Sequence, residues 1–344
     1  MGDVPMRHIQ SVLAYAAFTA ILAALLVLGT AAASLASPQT WRSQGWSKTD
    51  FSKTAIDFNE ILSGGPPKDG IPSIDSPKFK SVADVQDVGV TEPVIGIEIN
   101  GDARAYPLGI LIWHEIVNDT VGKVPVTITY CPLCNSAIVF ERKFDGVLHD
   151  FGTTGKLRNS DLVMYDRQTE SWWQQFTGEA IVGKYTGKSL KSIPARLESF
   201  KRFKARHPQG QVLIPTNPGL RDYGRNPYVG YDTRSVPYPL FAGELPKDID
   251  PMARVVVVKI DGAPTAVALE LLRTQGKLTL GDVTLSWEKG QNSALDQQGI
   301  KSGRDVGNVI AQRKTANGMI NIVYDVTFAF VFHAFHPKRP IRQG

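Results

Sequence analysis

From residue 94 onward the chain is a succession of short β-type patterns: VIGIEING, ARAYPLGIL, VPVTITY, SAIVFERKF, LHDFG and SDLVMYD. Gly, Pro, Asn and Asp separate them at short intervals, the spacing of an all-β sandwich or barrel. Strands return at ARVVVVKIDG and close the chain with NIVYDVTFAFVFHAF. One helix is predicted, Ala195 to His207, with Leu197, Phe200 and Phe203 at helical spacing and Pro208-Gln209-Gly210 as its stop. Residues 37–90 read as an extended entry segment, rich in Pro, Gly, Ser and Lys, with a short helix near Lys53–Leu62. The fold class expected is mostly β (a β-rich α+β protein) with a few short helices, its main domain covering 91–344.

Two parts of the chain look alike. IEINGDARAYPLGIL (97–111) aligns without gaps to VKIDGAPTAVALELL (258–272), with five of fifteen residues identical. Asn-Ser-Ala at 135 then answers Asn-Ser-Ala at 292, and Tyr165-Asp166 answers Tyr324-Asp325. Three features recurring in order predict a degenerate duplication, two related β-lobes over about 94–175 and 254–335. Hairpins built on Asn-Gly and Asp-Gly resemble one another anyway, which is the competing explanation.

The N-terminus has no charged residue between His8 and Arg42, an apolar stretch from Val12 to Leu28, and small residues after it. That is the layout of a secretory signal, cleaved after Ala33 or Ala36, or of an uncleaved N-terminal anchor. The body is therefore expected outside the cytoplasm, in the periplasm or envelope, where disulfides persist. The net charge of +5 is spread along the chain. Its densest basic run, KRFKARH (201–207), reads as a solvated helix face, so no nucleic-acid partner is expected.

Both cysteines of the 344 residues, Cys131 and Cys134, fall in ITYCPLCNSAIVFE. A disulfide closed over two residues restrains the unfolded chain little, so a structural staple is a weak reading. A redox pair would use Cys131 to attack and Cys134 to resolve, with Asn135, Asp166 and Arg167 as neighbours. A metal site would need further ligands. The candidates are His114, His149, His207, and His333 with His336, and the ion would be Cu(I) or zinc. The supposed sister copy has Trp287-Glu-Lys-Gly-Gln-Asn where the first has Tyr130-Cys-Pro-Leu-Cys-Asn. The fold does not need the cysteines, which points to a specialised role for them.

A second constellation is FGTTGKLRNSDLVMYDRQTESWWQQFTGEA (151–180). Asn159, Ser160 and Asp161 form a polar corner, Asp166 and Arg167 follow a buried-strand pattern, and Trp172-Trp173 close it. It reads either as the wall of a polar cleft, Arg167 orienting Asp166 or holding an anion, or as a hairpin with an internal Asp–Arg pair and a tryptophan core. There is no Gly-x-Ser-x-Gly elbow, phosphate-binding glycine loop or His-Glu-x-x-His.

YCPLCNSAIVFER, the NSDLVMYDRQTESWW region, the ARLESFKRFKARHP helix and GLRDYGRNPYVGYD together resemble the exported bacterial family called domain of unknown function 3179, over about 90–340. The resemblance implies export and no particular activity. From the residues, the expectation is a thiol–disulfide redox protein of the envelope. The alternatives are a copper or zinc binding or delivery protein, and a non-catalytic envelope binding protein using the Tyr/Arg loop at 221–231. Its redox or metal partner is not specified by the residues, and the membrane enters only through the N-terminal anchor.

Overall fold

β1 (Pro93–Ile99) turns back on β2 (Asp102–Pro107) through Asn100-Gly101, both left-handed, which is the turn that the twist of two antiparallel strands favours. A helical turn, α1 (Leu108–Leu111), leads into the meander β3 (Ile116–Val121), β4 (Val124–Cys131) and β5 (Ser136–Glu141). A separate antiparallel sheet holds β6 (Phe151–Arg158), β7 (Asp161–Asp166) and β8 (Trp172–Gln174). The chain then returns through β9 (Arg196–Ser199), α2 (Phe200–Arg206) and β10 (Gln211–Ile214). Strand β9 pairs with β1, and β10 runs parallel to β2. This computed structural model describes residues 37–344, so the signal or anchor expected over 1–36 lies outside the described residues. Among the described residues no helix is long and apolar enough to cross a membrane. The mostly β class, with few short helices, is as expected.

A strap at 215–253 that contains no strand leads into two further sheets. The chain there runs β11 (Arg254–Ile260), β12 (Ala263–Ala268), α3 (Leu269–Gln275), the meander β13 (Lys277–Leu280), β14 (Val283–Glu288) and β15 (Asn308–Thr315) with the edge strand Gly318–Asn321, then β16 (Tyr324–Phe328), α4 (Ala329–Phe335) and β17 (Ile341–Arg342). Strand β16 pairs with β11, and β17 runs parallel to β12. In this topology β16 stands where β9 stands beside β1. Helices α2 and α4 both end on His-Pro, with His207 N donating to Phe203 O and His336 N to Phe332 O, each at 2.8 Å. The pairing of Tyr165-Asp166 with Tyr324-Asp325 does not hold. The first dipeptide closes β7 in the separate sheet, and the second opens β16.

Three local expectations are corrected. Arg196–Ser199, expected as the first turn of a helix, is a strand, because β1 would otherwise be an unpaired edge at Val94–Gly96. The closing NIVYDVTFAFVFHAF is half strand and half helix, changing at Ala329. The Lys53–Leu62 helix shrinks to one 3-10 turn, Phe58–Glu60, capped by Asp57. A short helix, Pro38–Ser43, forms instead, with Ser37 as its N-cap and proline at its first position.

The entry segment docks through aromatic rings. Trp41, Trp46 and Phe51 pack edge-on against Trp172 at ring separations of 4.8, 5.1 and 5.5 Å. This bears out the tryptophan core expected of the 151–180 region for Trp172 and Trp173, both fully buried. Lys156 lies among these rings, 5.6–5.9 Å from Trp172, Trp41 and Trp46, with Gln44 Oε1 as its hydrogen-bond partner. Burial pushes its ammonium down from 10.5 to about 8. The unfolded chain keeps that proton to higher pH, so between the two values unfolding takes up a proton and stability rises with pH. Wild type is expected to gain about 1–2 kcal/mol over Lys156→Met between pH 7 and 10, the ring attraction offsetting part of the burial cost. Urea unfolding of both proteins at the two pH values checks this, and parallel pH profiles would refute it.

Candidate functional site

Strand β4 ends on Cys131. Pro132, with its fixed φ, starts a tight turn in which Cys134 N donates to Cys131 O at 3.2 Å. Asn135 closes the turn in the left-handed region, φ 53°, a conformation Asn tolerates better than most residues. β5 then begins at Ser136, opposite Cys131. The strand–turn–strand setting expected for the motif is what forms, and both cysteines are free thiols.

A second hairpin meets the sulfurs. Between β6 and β7 the chain turns on Asn159 (φ 54°) and Ser160 (φ 62°), a left-handed pair without the glycine that usually occupies such turns. The Ser160 carbonyl accepts from both thiols, from Cys134 at 3.3 Å and Cys131 at 3.6 Å. The next residue, Asp161, is fully buried. Its Oδ2 accepts from Gln174 Nε2 at 2.6 Å and from Phe176 N at 2.9 Å, while its buried Oδ1 has no partner. The two Sγ atoms and an Asp161 carboxylate oxygen all lie within 4.8 Å of one another.

A further acid belongs to this space. Glu115 (φ 59°) precedes β3, and its carbonyl accepts from Tyr130 N at 2.8 Å, beside Cys131. The residue is 8% exposed, and its carboxylate forms no hydrogen bond or ion pair among the described residues. Burial, then the charge of Asp161, pushes Glu115 up to about 8. Burial pushes Asp161 up to about 7, against the hydrogen bonds it accepts. Both thiols are raised by burial first. Asp161 and Glu115 raise Cys131 further, and Cys134 is raised well above the ordinary thiol range. The charges acting on these four acids come from one another and from Asp325, and all are negative.

Strand β16 and the strap hold the turn in place. Thr327 Oγ1 and Phe328 N donate to Cys134 O at 2.8 and 3.3 Å, and Asn135 Nδ2 donates to Val326 O at 2.7 Å. From the strap, Tyr231 OH donates to Leu133 O at 2.9 Å. Tyr238 stacks on Tyr231 at 4.5 Å. The Tyr/Arg loop expected as an outer contact surface is thus partly internal: Tyr231 is fully buried, and Tyr228 feels the charges of Glu115 and Cys131.

Of the residues singled out from the sequence, Cys131, Cys134 and Asn135 meet here. Asp166 and Arg167 do not. They lie at the far end of β7, about 16 Å from Asp161 at roughly 3.3 Å per residue. Asp166 accepts from Thr169 N and Trp173 Nε1, and Arg167 pairs with Asp75 rather than with Asp166. The candidate histidines do not join this group. His114 is held by Pro72 O at 2.7 Å and Tyr223 OH at 2.8 Å. His336 packs against Phe332, and His333 rides in the last turn of α4. Among the described residues the potential ligand group contains no histidine. Asp161 was visible only as part of a polar corner in the sequence. Glu115 carried no signal beyond following His114.

A family model described as protein of unknown function (DUF3179) matches residues 68–339. No curated protein and no solved structure matches the chain.

Proposed function

The chain belongs to the DUF3179 family, whose description carries no activity, and from its own residues we propose that it holds a zinc-like divalent ion on Cys131, Cys134 and Asp161. The observation that carries the reading is the convergence of two thiols and one carboxylate within 4.8 Å, with Asp161 Oδ1 unpartnered. Four buried acids with no cation among them are pushed toward their protonated forms. A divalent ion reverses that cost, because its charge favours thiolate and carboxylate together. In a tetrahedral zinc site the ligand atoms stand about 3.5–3.8 Å apart, inside the 4.8 Å that bounds the separations here. Three protein ligands leave a fourth position open, as in zinc sites that act on a bound water or substrate, and the unpaired Glu115 supplies a second carboxylate for it. The carboxylate favours zinc over Cu(I), which prefers thiolate and thioether.

The redox reading keeps one observation in its favour: both sulfurs share one carbonyl, close enough for reversible closure. Against it, both thiols are buried and raised, whereas attacking cysteines sit in accessible, electropositive surroundings. The reading places the protein outside the cytoplasm on the strength of the apolar N-terminal stretch, and a bound metal would protect the thiols there.

The test is native mass spectrometry of protein purified reduced and anaerobic, with Zn(II) or Cu(I) added. One zinc retained at micromolar concentration, with both thiols then protected from alkylation, is expected. No retained metal sinks the proposal. Rapid equilibration of the pair with a glutathione buffer in the same sample would hand the site to the redox reading.

A further inference from the structure

The second lobe carries a cavity of about 750 Å³ between the start of β11, helix α3 and the segment at 304–306. That volume is within the range of small-molecule sites. Its walls include the apolar side chains of Ile249, Met252, Leu269 and Leu271. Three arginines line it as well: Arg254, Arg304 and Arg273, the last paired with Glu270.

The hydrogen-bonding capacity left over at the cavity is of the donor kind. Arg254 and Arg304 share a single carboxylate, Asp232, at 2.8 and 2.9 Å. Arg254 is 92% buried by its side chain (8% exposed), and its buried Nε–H has no partner. The Arg304 side chain is 43% exposed. The acids nearby are already engaged. Asp305 accepts from the backbone N–H groups of Gly290, Gln291 and Gly307, and Glu270 is paired twice with Arg273. Two guanidiniums with one carboxylate between them, beside apolar walls, match a ligand with an anionic head and an apolar body. A guanidinium offers the planar fork that a carboxylate fills, and the walls shelter the remainder from water.

We propose that this cavity binds a small amphiphilic carboxylate, its head on Arg304 and Arg254 and its apolar body against Leu269 and Leu271. The inference does not depend on the cysteine site and extends beyond it, so the failure of either leaves the other standing.

The test is calorimetric titration of the full chain with octanoate as the probe, beside acetate and 1-octanol as controls. Octanoate is expected to bind one per chain, with acetate and octanol each at least about 10-fold weaker. Arg304→Gln removes the exposed guanidinium, and Leu271→Glu places a like charge on the half-buried wall. Each is expected to weaken octanoate at least about 10-fold while the far-UV spectrum and melting curve show a folded protein. Octanol binding as tightly as octanoate would reduce the cavity to an apolar hole and overturn the proposal. So would an unchanged octanoate affinity in either folded variant, or no saturable binding to wild type at millimolar octanoate.

Discussion

Asp161→Asn is expected to weaken zinc binding about 100-fold or more, while Glu115→Gln weakens it about 10-fold. The order follows from position. Asp161 lies within 4.8 Å of both sulfurs with a free buried oxygen, whereas Glu115 borders the group without belonging to it. Asparagine is the informative replacement. Its amide oxygen can still accept from Gln174 and Phe176 N, so the local hydrogen bonds survive and the charge and ligand are lost. In the metal-free protein the same change removes a buried acid from the company of three others, so apo stability is expected to hold within about 1 kcal/mol. Chelator competition gives the affinities and urea unfolding gives the stability. Wild-type affinity in Asp161→Asn would show that the carboxylate is not a ligand.

Asp232→Ala is expected to cost about 3–5 kcal/mol of folding stability, because it strands a buried charge. Asp232 is the carboxylate partner of Arg254, whose side chain is buried beneath the strap. It also accepts from Ser293 Oγ at 2.6 Å and pairs with the more exposed Arg304. Replacing Arg254 with methionine in the same chain removes the stranded charge, so Asp232→Ala/Arg254→Met is expected to recover at least half of the loss. The neighbour of Asp232 is Tyr231, whose hydroxyl holds the Cys131–Cys134 turn at Leu133 O. Loosening the strap should therefore also speed alkylation of the two buried thiols in the metal-free protein. Denaturant unfolding and timed alkylation read the two effects separately. A stability loss below about 1 kcal/mol would mean that Arg254 finds water or another partner when Asp232 is gone.

The fold was legible wherever its cause is local. Asn100-Gly101 and Asp261-Gly262 force tight turns through their left-handed backbone, and alternation on either side fixes the strands. The strand, tight turn and strand around Cys-Pro-Leu-Cys could be read for the same reason. Where a segment had two local options, a distant partner chose between them. Arg196–Ser199 carries helical spacing, yet β1 needs a neighbour and takes it. The last apolar run changes from strand to helix at Ala329, which its own pattern does not announce.

The candidate site divides along the same line. The sequence by itself determined that two thiols share one tight turn with Asn135, because five adjacent residues cannot separate. It could not say which acids face them. Histidines and the Asp166–Arg167 pair were reasonable candidates by residue type, but side-chain type carries no information about which hairpin lies against which. Only the packing of the Asn159-Ser160 turn onto the Cys131–Cys134 turn decided that Asp161 would meet the sulfurs. The left-handed backbone at Glu115, set where the chain enters β3, brought in the second carboxylate. Strand β16 and the strap then sealed the group from water, and it is that burial, absent from any local pattern, that drives all four acids toward their protonated forms.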